Sequence, residues 1–108
     1  MITAATFYGR AEDIAVGSSG YHLSPLSPRF LYATPDATGY IITLPDASVL
    51  PLIPGGPVFF IWNAHASHTI RVNDYDGGTV AWVSALKKGR FYLTDTSTQA
   101  GTWKAHVA

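Results

Sequence analysis

Two histidines stand three residues apart in "IWNAHASHTI", residues 61–70, beside a tryptophan and an asparagine. His65 and His68 have the side-chain type and spacing of a metal-ligand pair. On a helix, that spacing would set both imidazoles on one face. This segment has no helical pattern. The two rings instead flank a short "AS" link and can face each other across the neck of a hairpin. A catalytic zinc ion needs a third protein ligand. Asp74, Asp76 and His22 are available by type, and no spacing singles one of them out. The expectation is a turn between two apolar strands, with no metal and no cofactor.

Other candidate chemistry is weaker. "DYDGG" at 74–78 resembles the start of a calcium loop. The bidentate glutamate due at position twelve is absent, since that position is Ala85. The bland reading is a hairpin turn with glycine supplying positive φ. Ser18, Ser19 and His22 are sequence neighbours on a glycine-rich stretch, whereas triad members converge from distant segments. Glu12 is the only glutamate. Beside Asp13 in one strand it would point to the opposite face, so the two cannot flank a glycosidic bond. "PGGP" at 54–57 lacks the Lys-Ser/Thr and the helix of a phosphate loop. No constellation favours an enzyme, and the catalytic set is predicted to be empty.

Trp62, Trp82 and Trp103 have two readings. Each fits a strand in which burial in a core or interface is ordinary. Together they could also form a stacking platform for a glycan.

The elements that carry these residues are strands. Ten glycines and seven prolines punctuate the chain at short intervals. Between them lie runs rich in Val, Ile, Thr, Tyr, Phe and Trp. Strands are predicted at 6–10, 13–16, 21–23, 29–34, 40–44, 58–63, 69–73, 79–86, 90–94 and 102–107. Residues 58–63 are the most apolar and should be central. Tyr40, Ile42 and Leu44 should share a face, as should Ile70 and Val72, with Arg71 outward. "LPDASVLPLIPGGP" at 44–57 is too rich in proline for a regular element, yet it carries several apolar side chains. It should cross the end of the fold and pack there or on a neighbouring subunit. Leu50, Leu52 and Ile53 of this stretch, with Tyr75 of the "NDYDGG" turn, are the predicted residues of a subunit or partner interface.

Short, evenly spaced strands without crossover helices imply an all-β fold. The expected architecture is an antiparallel β-sandwich or jelly-roll-like barrel with a short extended N-terminal region. The length of 108 residues suits one domain. Residues 1–39 read as an N-terminal arm with the first strands, packed on the domain or a neighbour. Residues 40–108 read as the sandwich core.

Composition bounds the partners. Seven basic and seven acidic residues leave no net charge, and only 13% of the chain is charged. Soluble domains average about 25%. So apolar and neutral a chain is expected to cover its surface with other chains. There is no basic stripe for nucleic acid. No segment reaches the ~18 apolar residues of a membrane helix. The N-terminus has no signal-peptide pattern, so synthesis in a cytoplasm without an export address is expected. There is no cysteine.

Tyr40 to Trp103 resembles units found in virion proteins of tailed bacteriophages. The resemblance is carried by "YIITLPDAS", "GGPVFFIWNAHASHTIRVNDYDGG", "LKKGRFYLTD" and "AGTWKA". Similar units occur in capsid-decoration, head-fibre and tail-fibre proteins. The resemblance implies a β-sandwich subunit, commonly a homotrimer, located in the virion. Its partners would be itself, the major capsid protein and other virion proteins. The leading expectation is a capsid decoration (cement) protein that stabilises the head. The alternative is a fibre or receptor-binding module recognising host surface glycans.

Overall fold

The computed structural model describes residues 11–25, 27–50 and 58–108. The described chain forms nine strands and no α-helix. They are β1 (Ala11–Val16), β2 (Tyr21–His22), β3 (Phe30–Pro35), β4 (Ile41–Thr43), β5 (Val58–Asn63), β6 (Ile70–Asn73), β7 (Thr79–Val83), β8 (Lys88–Asp95) and β9 (Thr102–Val107). A 3-10 turn, Ala47–Val49, lies between β4 and β5. The predicted strand at 6–10 lies outside the described residues.

The strands build two sheets. The first has the order β1-β3-β5-β8-β9 and the second β2-β4-β6-β7. The all-β sandwich expected from the sequence is what forms, and it does not close into a barrel.

Strand direction differs from the antiparallel expectation. β1, β3 and β5 run parallel to one another, as do β2, β4 and β6. Only β5–β8, β8–β9 and β6–β7 are antiparallel. The cause is that β1, β3 and β5 each hand the chain to the opposite sheet. Parallel neighbours need a long crossover, which is commonly a helix. Here a strand of the other sheet serves as the crossover, so the chain winds as a two-layer coil before β7–β9 close it.

Successive arches of this coil hydrogen-bond to one another. Asp36 N donates to Val16 O at 2.9 Å, Ala64 N to Ala33 O at 2.8 Å, and Gly39 N to Thr69 O at 2.8 Å. β3 sits between β1 and β5, so the described part of residues 1–39 is woven into both sheets.

Period-two alternation decides what lies between the layers. Leu31, Ala33, Phe59, Ile61, Phe91, Leu93 and Trp103 face inward from the first sheet. Ile42, Ile70, Val72 and Val83 meet them from the second. Gly89 takes an inward position of β8 where a Cβ would stand 2.6 Å from the Phe91 ring, so only glycine fits. Leu44, Ala47 and Leu50 carry the proline-rich stretch into the same core.

Candidate functional site

The outer face of the first sheet carries an aromatic patch. β3 "FLYATP" buries Leu31 and turns Phe30 and Tyr32 outward; β5 "VFFIWN" buries Ile61 and turns Phe60 and Trp62 outward. Strands that are apolar on both faces ordinarily have both faces covered. The outer four are between 37% and 40% exposed, which is high for side chains this large and apolar.

Ladder register places them in rungs. Phe30 pairs with Phe60 and Tyr32 with Trp62 across β3–β5. Phe60 pairs with Arg90 and Trp62 with Lys88 across β5–β8. The Phe30 and Phe60 rings lie 4.8 Å apart and 5° from parallel. At that separation coplanar rings would interpenetrate, so the two overlap as a face-to-face stack. Tyr32 and Trp62 are 5.0 Å apart, tilted by 37°. From the β8 side, Lys88 Nζ lies 4.7 Å from the Trp62 ring centroid, a cation–π contact. Together these side chains line a shallow depression of about 220 Å³.

The sequence-predicted residues fall elsewhere, with one exception. Trp62 joins this patch. Trp82 is half exposed on the outer face of the second sheet, with the Arg71 guanidinium 5.8 Å from its ring centroid. Trp103 is buried against Phe59 in the core. The three tryptophans therefore do not share a platform, because β5, β7 and β9 present them to different sides of the sandwich. Leu50 is 4% exposed and is taken up by the chain's own core, so it is not presented to a neighbour. Tyr75 is exposed at the tip of the β6–β7 hairpin. Leu52 and Ile53 lie outside the described residues.

The "AHASH" link is an arch between sheets and not a hairpin, since β5 and β6 belong to different layers. Asn63 organises it. Its buried Nδ2 donates to His68 O at 2.6 Å and Val83 O at 3.0 Å, and its Oδ1 accepts from His65 N at 3.0 Å. His65 Nδ1 in turn accepts from the backbone N–H groups of Ser67 at 3.0 Å and His68 at 3.1 Å. Nδ1 is therefore an acceptor in this turn. The His65 and His68 rings stack at 4.0 Å. His68 Nδ1 lies 3.4 Å from Thr38 Oγ1. Among the described residues, no group of three or more His, Cys, Asp or Glu side chains gathers here or elsewhere. The imidazole nitrogen nearest the loop already serves as a backbone cap.

Sequence reasoning missed Phe30, Tyr32 and Phe60 as surface residues. The available signal was the flanking pattern: in "FLY" and "FFIW" a buried aliphatic sits between two aromatics, marking a strand apolar on both faces. No known protein family, characterised protein or solved structure matches this chain.

Proposed function

We propose that this chain is a non-enzymatic virion structural protein. In this reading it is a decoration subunit that binds the head of a tailed bacteriophage and stabilises it by packing sheet faces against other proteins. The observation that carries the reading is the aromatic face of β3 and β5. Four large apolar side chains stand partly exposed on the outer face of one sheet in ring-to-ring pairs, flanked by Lys88 and Arg90. An apolar core with a charged rim is the make-up of a protein-docking patch. Low overall charge and the resemblance of Tyr40 to Trp103 to phage virion units support it further.

The glycan alternative needs open ring faces on which a sugar can stack. Phe30 and Phe60 cover one another, and Trp62 lies between Tyr32 and Lys88. One face of each phenyl is thus taken up by its neighbour, which leaves less open ring face for a sugar than a row of separate rings would. Trp82 remains the one half-exposed indole outside the patch among the described residues.

The test mixes purified protein with phage heads that lack it, and reads binding by co-sedimentation and head stability by thermal release of DNA. Bound protein and a raised release temperature are expected. Heads that neither bind the protein nor gain stability would end the decoration reading. Glycan-array binding abolished by Trp82→Ala would favour the alternative.

A further inference from the structure

One rung of the first sheet runs Asp13, Tyr32, Trp62, Lys88, across β1, β3, β5 and β8 in ladder register. Asp13 and Lys88 are exposed on the aromatic face, at its two ends. Three strand spacings separate them, about 14 Å, so they cannot pair within one chain. The next rung runs Phe30, Phe60, Arg90.

Consider a two-fold axis lying along the strands, between β3 and β5. A half-turn about it sets Tyr32 of one copy over Trp62 of the other and Phe30 over Phe60. The same rotation brings each Asp13 onto Lys88 of the opposite copy. No like charges meet on that rung. The face is thus self-complementary in charge, and the aromatic rungs of the two copies meet each other, as a two-fold contact requires.

We propose that a second copy of this chain occupies the aromatic face, through a two-fold contact that pairs Asp13 of each copy with Lys88 of the other. This rests on the reading of the face as a protein-docking surface. It departs from the trimer that the phage resemblance implies, because a three-fold contact joins two unlike patches. The contact is small: four strands by about six residues covers roughly 400 Å² per copy, about 800 Å² in all, below the ~1,000 Å² of a stable interface and in the range of weak, transient contacts. Self-association is therefore weak, with Kd in the micromolar range, and becomes effective where a particle surface holds many copies close together. Trp82 and Tyr75 lie off this face and remain available to another protein.

Sedimentation velocity of the full, untagged chain over about 1–500 μM tests it. A monomer–dimer equilibrium is expected, weakening with salt. Asp13→Lys and Lys88→Asp, with circular dichroism checking the fold, should each raise Kd at least ~10-fold, and the double variant should return it to within ~3-fold. Three results overturn the proposal: a monomer at every concentration, a trimer indifferent to both swaps, or a double variant that is not rescued. Head binding is scored separately on the same proteins. Dimers that ignore heads sink the decoration reading alone, and monomers that bind heads sink this inference alone.

Discussion

The Asn63 carboxamide donates to the Val83 carbonyl at 3.0 Å, joining the last residue of a first-sheet strand to the last residue of a second-sheet strand. The same side chain holds both ends of the intervening arch, through His65 N and His68 O. One fully buried amide thus satisfies three backbone groups that have crossed from one layer to the other. Asn63→Ala leaves them without partners in a site where an unpaired group costs about 1–3 kcal/mol. A loss of about 3 kcal/mol or more is expected in urea denaturation, as a lower midpoint at unchanged slope. A loss below about 1 kcal/mol would mean that water replaces the amide readily.

His65 is a capping residue on this account. Its Nδ1 does what an Asx side chain does in a turn, accepting backbone N–H groups two and three residues on. His65→Ala should cost about 1 kcal/mol. His65→Asn, whose Oδ1 can take the place of Nδ1, should recover most of it. If Ala and Asn are equally destabilised, the ring stack with His68 is the larger contribution. If zinc raises the melting temperature of wild type but not of His65→Asn, the histidines hold a metal after all.

Much of the fold was legible because side-chain alternation is a local property. The strands at 58–63 and 102–107 fall as predicted, and Ile42, Leu44, Ile70, Val72, Phe91 and Leu93 face the core. Pairing was not legible. Alternation says which residues point inward but not to which sheet a strand belongs. A link of the length of "AHASH" can close a hairpin or arch over to the facing layer. What decides is where the other strands lie: β5 fits between β3 and β8, and β6 between β4 and β7. The aromatic patch depends on that pairing. Phe30 and Phe60 are thirty residues apart in the chain and become neighbours only because β3 and β5 are parallel. Leu50 shows the opposite limit. An apolar residue in a proline-rich stretch suits an interface or the chain's own core equally well, and only the closing geometry assigns it to the core.

Leu86 carries an avoidable cost. It is exposed, in the turn that leads from β7 to β8, and its φ is +60°. For a residue with a bulky side chain this left-handed conformation costs about 1–2 kcal/mol. Its 59% exposure means that little packing offsets the cost. Leu86→Asn should therefore raise the stability by about 0.5–1 kcal/mol, since Asn tolerates this region and loses less chain entropy than Gly. An unchanged or lower denaturation midpoint would show that the Leu86 side chain is packed in the assembled protein, and would mark this turn as a contact.

Asp46 provides the pH dependence. Ser48 Oγ donates to its Oδ1 at 2.6 Å and Ser48 N to the same oxygen at 2.9 Å, while Gln99 Nε2 donates to Oδ2 at 3.1 Å. The Ser48 hydroxyl bond chiefly holds the carboxyl below the ordinary value of 3.8; partial burial opposes it, and the Ser48 N–H and Gln99 add to it. These bonds clasp the 3-10 turn to the β8–β9 loop, where Ala47 N also donates to Gln99 O at 2.8 Å. A group whose folded pKa lies below its unfolded one stabilises the fold fully above the unfolded value. That contribution is lost as pH falls through the lowered, folded value. Asp46→Asn keeps an acceptor for Ser48 but not the charge. The variant should melt below wild type at about pH 6, and the gap should narrow as pH falls below the ordinary carboxylate value of 3.8 and through the lowered, folded one. A gap that persists unchanged into strong acid would place the effect in the geometry of the turn and not in the ionised carboxylate.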